Sequence, residues 1–304
     1  MNNIMNNPEL IACHTAGCAK GLDYFEYTHY LEYYDFLTEL EEDGDTGPDS
    51  ICEKLDSIRD YLCNSNGAVI GCAITESEKE AYNKIADAFI GKLENSARQP
   101  CEYELFEHEY PLGIITLGQV VSNAVTTNAS DLDIEANSPA SSVVLSIITD
   151  KYLRGETRDR YGAYVCSYMD RYPAFSLFTG KDPTTGAAFE AIGAAADAWK
   201  EIRAHLTQEE LDGYIITMHS SESMSNGKIS DAMNVVSDMV AGWDSSYRNE
   251  RLKMLKDLQT DDLSRYDALF EKLSKEGNRV SAGSADMIKK DAGNYAQVIN
   301  QFAK

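Results

Sequence analysis

The sequence predicts an α+β fold: an antiparallel sheet packed by helices, preceded by a partial, helix-rich segment. Three observations predict it. Of the 304 residues, 43% are apolar and 10% aromatic, a composition that supports a packed core. Beyond residue 98 the chain carries several strand-like runs among helical periodicities, enough for a two-layer domain. Before it there are several helices and one strand-like run, and one strand cannot make a sheet. The expected division is 1–98, an incomplete unit, and 99–304, a complete domain, with the polar stretch at 95–100 between them.

Taken in order, residues 21–42 read as a helix in which Leu31, Tyr34 and Leu37 recur every three or four positions. The acidic run at 41–49 is a loop. A helix from Ser50 to Cys63 puts Ile51, Leu55, Ile58 and Leu62 on one side. Residues 68–75 (AVIGCAIT) read as a short buried strand. Thr75 and Glu78 then have capping-box spacing and open a helix reaching Leu93. In the second part, residues 113–126 are strand-like, residues 128–139 a polar loop, and residues 139–157 a helix with Val144, Ile148 and Tyr152 aligned. The chain turns through Tyr161-Gly162-Ala163 into a strand starting at Tyr164. A second strand from Ala174 to Thr179 closes on Asp182-Pro183. A long Ala-rich helix follows Pro183, and Thr207 with Glu210 forms another capping box. Helices run on through Trp243, Leu258 and Leu273. A strand from Asn278 to Ala282 and a terminal helix complete the reading.

Charge and cysteine usage narrow the function classes. With 27 basic against 50 acidic residues the formal charge is −23, which argues against nucleic acid and anionic membrane surfaces as partners. No apolar run is long enough to span a membrane, and MNNIMNNPEL lacks the basic and apolar regions of a signal peptide. The seven cysteines (13, 18, 52, 63, 72, 101 and 166) are scattered without a CxxC pair, as expected of reduced thiols in the cytoplasm. Cys13, His14 and Cys18 have no second pair with which to build a metal site. The glycines from Gly186 to Gly193 make no phosphate-binding pattern, and Ser220 to Ser223 has no nucleophile-elbow context. The tyrosines at 24, 27, 30, 33 and 34 read as packing. His108, between Glu107 and Glu109, reads as a surface residue.

The most informative pattern is a helix end, Arg158, five residues, Tyr164, two strands and Asp182-Pro183. Two further stretches accompany it: Gly21-Leu-x-Tyr-x-Glu-Tyr with Tyr34-Asp-Phe-Leu37, and Leu206-Thr-Gln-Glu-Glu-Leu-Asp-Gly-Tyr-Ile-Ile216. In this order they resemble the C-terminal part of the pitrilysin/insulinase-like zinc metallopeptidases, in the presequence-protease branch. The resemblance implies a metallopeptidase-like α/β roll. Residues 99–304 would be the fourth of four homologous domains around a peptide chamber, and residues 1–98 a remnant of the third.

The family's zinc motif, HxxEH, lies in its first domain. Of the five histidines here (14, 29, 108, 205 and 219) none makes HxxEH or HExxH. His29-Tyr-Leu-Glu32-Tyr33 fails because Tyr33 stands where a second imidazole is needed. The resemblance therefore implies no cofactor in this chain, with zinc in a missing N-terminal half. Arg158 and Tyr164 would bind the substrate main chain. Read without the resemblance, Arg158 caps its helix and Tyr164 packs. Arg154 and Arg160 are close neighbours, but only Arg158 has the six-residue offset to Tyr164. The implied function is the non-catalytic portion of a zinc metalloendopeptidase, inactive alone. It would align unfolded peptide for a zinc-bearing N-terminal half. The alternatives are a free-standing peptide-binding or scaffold subunit and, third, a hydrolase using His29 and Glu32.

Overall fold

The computed structural model describes residues 7–22, 31–42, 48–97, 107–135, 138–224 and 227–300. The chain forms two compact units. One comprises the described residues within Met1–Thr38, Glu104–Ser220 and Arg251–Lys304; the other comprises those within Glu39–Tyr103 and Ser221–Glu250. This grouping differs from a single cut after residue 98, because the chain leaves the first unit twice and returns twice.

The first unit is built on a six-stranded sheet ordered β3-β4-β2-β5-β1-β6. Its strands are β1 (Leu112–Thr116), β2 (Val121–Asn128), β3 (Val165–Arg171), β4 (Ala174–Asp182), β5 (Asn278–Ser284) and β6 (Gln297–Ile299). The expected α/β sheet packed by helices is present, with mixed rather than wholly antiparallel pairing. β2–β4, β2–β5 and β3–β4 run antiparallel, whereas β1–β5 and β1–β6 run parallel. Residues 113–126, expected as one strand-like run, belong to two strands. β5 lies between β1 and β2 and pairs with both in opposite senses, so the chain has to turn at residues 117–120. The expected terminal helix is short (Ala285–Lys290), and β6 follows it as an edge strand.

Each sheet face buries its own core. Val125, Phe175 and Leu177 meet Val143, Val144, Ile147 and Ile148 of the helix Pro139–Ile148, together with Trp199 and Phe270. The opposite face carries Ile114, Ala124, Val280 and Ala282, covered by Ile11, Ala12, Cys13 and Ala16 of the helix Pro8–Ala16. That helix, with Pro8 in its first turn, lay in the segment expected to be a remnant of a different domain; it packs on this sheet. The Thr207–Glu210 capping box forms as expected: the Thr207 N–H donates to Glu210 Oε2 at 3.0 Å, and the Glu210 N–H donates to Thr207 Oγ1 at 3.3 Å. Bonds from Lys151 and from Thr207 bring the Glu210 carboxyl down to about 2.

The second unit is of another kind. Among the described side chains of its helices Pro48–Leu62, Lys79–Ile90 and Lys228–Val240, no apolar one is buried. Among its described residues only Asn64 is buried. Leu55, Ile58, Ile85, Phe89, Met233 and Val235 are all exposed. The strand expected at 68–75 pairs with no other strand among the described residues. Segment 71–75 instead lines an open groove of about 570 Å³ with Ala232, Val235 and Val236. A unit that buries so little apolar surface cannot offset its chain entropy by itself. Its helical amides are expected to exchange with solvent orders of magnitude faster than those of β2, β4 and β5. Hydrogen exchange read by mass spectrometry checks this, and equal protection in the two units would refute it.

Candidate functional site

The site begins where the helix after Ser138 ends. Ser138 Oγ accepts the Ala140 N–H at 3.3 Å, and Pro139 occupies the first turn. Past Ile148 the helix continues in wide i→i+5 turns over Thr149–Leu153 and Gly155–Asp159. Wide turns of this kind concentrate at functional positions. The helix stops on backbone bonds. The Gly162 N–H donates to Arg158 O at 2.9 Å, and the Ala163 N–H donates to Thr157 O at 3.2 Å. Gly162 has φ +85°, left-handed backbone that glycine adopts at little cost. These bonds satisfy carbonyls that a capping guanidinium would otherwise serve, so Arg158 is not required as the cap.

The turn buries Ala163 and brings the Tyr164 N–H to Lys181 O at 3.4 Å. Tyr164 stands one step before β3, extending the Val165↔Gly180 register so that it faces Lys181. Residues alternate faces along a strand. Cys166 and Tyr168 on β3, and Phe175 and Leu177 on β4, face the helix-side core, so Tyr164 and Lys181 share that face. The helix end carrying Arg158 lies over it. The Arg158 Cζ sits 5.6 Å from the Tyr164 ring centroid, and the Lys181 Nζ sits 5.1 Å from the same centroid. Tyr164 is 63% exposed. The two residues singled out from the sequence are thus brought together at the surface, with Lys181 as a third member.

Charge pairing distinguishes the three arginines. Arg154 binds Asp150 at 2.9 Å and Arg160 binds Glu156 at 2.7 Å, each four residues back. Arg158 has no carboxylate partner among the described residues. Lys181 has none either. A chain of formal charge −23 therefore holds two uncompensated cations over one phenol. The nearby Cys166 thiol is pushed up by burial, so it is a poor nucleophile. β3 is an edge strand, with no strand on its outer side among the described residues.

Other sequence candidates fall elsewhere. His29 of the near-miss zinc motif, with Tyr24, Tyr27 and Tyr30, lies outside the described residues. His108 is half-buried instead of surface-exposed. It stands edge-on to Tyr110 at 6.4 Å, and burial lowers its pKa. Among the described residues no three His, Cys, Asp or Glu side chains are grouped to hold a metal, so no donor set fits zinc. No described helix is long and apolar enough to cross a membrane. Lys181 was missed from the sequence, and its only signal there is the hairpin register that sets it opposite Tyr164.

Solved structures share this fold at low sequence identity. Pitrilysin matches 99% of this chain and 33% of its own, at 12% identity and a TM-score of 0.61. An inactive peptidase M16 domain from Pseudomonas fluorescens matches 70% of this chain and 52% of its own, at 15% identity and TM-score 0.47. The first half of the periplasmic protease PqqL from Escherichia coli matches 71% of this chain and 51% of its own, at 13% identity and TM-score 0.47. No family model matches the chain, and no curated protein does. The chain spans about a third of the length of pitrilysin, and the likeness concerns fold.

Proposed function

We propose that this chain is the non-catalytic, peptide-aligning portion of a zinc metalloendopeptidase of the presequence-protease branch. The observation that carries the reading is Arg158, without a carboxylate partner, over the exposed Tyr164 at the free edge of β3. An unfolded peptide can add to such an edge as a further strand, its carbonyls held by fixed donors. The guanidinium offers a planar fork that stays charged, and the phenol one directional O–H. Zinc and its hydrolytic water would belong to a separate N-terminal half, since no group of donors among the described residues suits the metal. Two features support such a partner. The second unit exposes apolar helix faces that a partner would cover. About two thirds of pitrilysin has no counterpart in this chain. That Cys13, Cys52, Cys63, Cys72 and Cys166 form no disulfide supports a reducing, cytoplasmic setting.

Fluorescence anisotropy with a labelled unfolded peptide tests the reading. Arg158→Ala is expected to weaken binding about tenfold or more, the loss of roughly 1.5–3 kcal/mol for a hydrogen bond to a charged donor. Tyr164→Phe should weaken it less. Arg160→Ala, which removes an arginine already paired with Glu156, should leave it unchanged. Indifference to Arg158→Ala would favour a scaffold role. One tightly held zinc per purified chain would overturn the assignment of the metal to the other half.

A further inference from the structure

We propose that Lys181 makes this edge selective for peptides carrying a carboxylate near the residue gripped by Arg158 and Tyr164; this rests on the peptide-aligning reading above. The first observation is geometric. Lys181 Nζ and Arg158 Cζ approach one phenol ring, at 5.1 Å and 5.6 Å from its centroid. The second is electrostatic. The neighbouring cations Lys151, Arg154 and Arg160 are each neutralised by Glu210, Asp150 and Glu156, whereas Lys181 and Arg158 have no carboxylate among the described residues. Two cations beside one ring, with no carboxylate to offset them, favour an anion that meets either one. The third is conformational. Lys181 has φ +47°, the left-handed region that non-glycine side chains seldom adopt. Such strain persists only where its surroundings enforce it, and here the enforcing neighbour is Asp182, buried and held by four hydrogen bonds.

The general field of the protein works against this preference. At −23 the chain repels acidic peptides at a distance, so selectivity for a carboxylate has to come from a local pair of cations. A carboxylate can be an acidic side chain or a peptide C-terminus, and both would be met by the same two donors.

The test uses the full chain and three short fluorescein-labelled peptides with blocked N-termini. One is amidated and carries a central Glu, one is its Gln counterpart, and one is the Gln peptide with a free C-terminus. Wild type is expected to bind the Glu peptide about tenfold more tightly than the Gln peptide, a ratio set by one charge-assisted contact. Lys181→Gln should lower that ratio severalfold, with Arg158 supplying the preference that remains. Lys181→Arg should restore it, and a circular dichroism spectrum identical to wild type guards against misfolding. Tighter binding of the free C-terminus than of the Glu peptide would identify a terminal carboxylate as the partner. Equal affinity for all three, with Arg158→Ala still weakening each, would overturn the carboxylate inference alone. Failure of every peptide to bind would overturn the peptide-aligning reading with it.

Discussion

Asp182→Ala should destabilise the first unit by about 3–5 kcal/mol, the cost of removing one member of a buried, charge-bearing hydrogen-bond network. Asp182 is 1% exposed at the end of β4. Its carboxylate accepts from Asn123 Nδ2 at 3.1 Å, Thr179 Oγ1 at 2.8 Å, the Thr184 N–H at 2.8 Å and Thr184 Oγ1 at 2.9 Å. Asn123 Oδ1 in turn accepts from Ser281 on β5 at 2.7 Å, so the network ties β4, β2 and β5 together. Alanine would leave the half-buried Thr184 N–H and the buried Thr179 O–H without an acceptor, each at about 1–3 kcal/mol. Asp182→Asn keeps the shape but turns an amide donor toward another donor, and should fall between the two. The unfolding transition can be assigned to this unit because one of the two tryptophans, Trp199, lies buried in it and the other, Trp243, belongs to the second unit. Urea unfolding followed by fluorescence in a Trp243→Phe background makes the measurement. A loss below about 1 kcal/mol would show that the network is not what holds the three strands.

The network bears on the site as well as on stability. Asp182 follows Lys181 directly, and fixing its carboxylate fixes the backbone that turns Lys181 toward Tyr164. Asp182→Ala should therefore also weaken peptide binding in any fraction that remains folded. Lys181→Gly, which relieves the left-handed strain, should leave the fold at least as stable.

What could be read from the sequence follows the range of the interactions responsible. The helix stop at Gly162 and the two capping boxes are set by residues within six positions of one another, and all of them are legible. Arg158 and Tyr164 were singled out through the resemblance alone, since local sequence reads them as a cap and a packed ring; that they meet at the surface is seen only in the structure. The insertion of β5 between β1 and β2 is not legible, because it joins residues more than 150 positions apart and leaves no local mark. For the same reason the Pro8–Ala16 helix gives no sign of which sheet it covers; its apolar residues fix that it is buried, not where. Lys181 was hidden by a boundary error. Ending β4 at Thr179 leaves no residue opposite Tyr164, whereas the strand runs on to Asp182. The apolar periodicity of Leu55, Ile58 and Leu62 reads as a buried face, yet all three are exposed, since no sheet among the described residues covers that helix.

Two glycine-to-alanine substitutions should act with opposite signs, and Gly283→Ala should be the most damaging single methyl in the sheet. Gly283 lies on β5, in register with Ile115 of β1 and Val121 of β2, at φ +150°. A Cβ there would overlap Val120 O, lie 2.7 Å from Val121 Cα and lie 3.0 Å from the Val120 carbonyl carbon. All three are backbone atoms at the turn that lets β5 separate β1 from β2, and the Ser284 N–H already donates to that same Val120 O at 3.1 Å. No side chain can rotate away to make room, so relief requires parting β2 from β5. Backbone strain of about 1–3 kcal/mol adds to the lost ladder bonds, and a total of about 3 kcal/mol or more is expected. Gly155 has nothing within 4 Å of an added Cβ and stands in a helical turn. Gly155→Ala should therefore stabilise by about 0.5–1 kcal/mol, because alanine loses less freedom than glycine on entering a helix. Urea midpoints in the Trp243→Phe background decide both, and an unchanged midpoint for Gly283→Ala would mean that β5 does not run between its two neighbours as described.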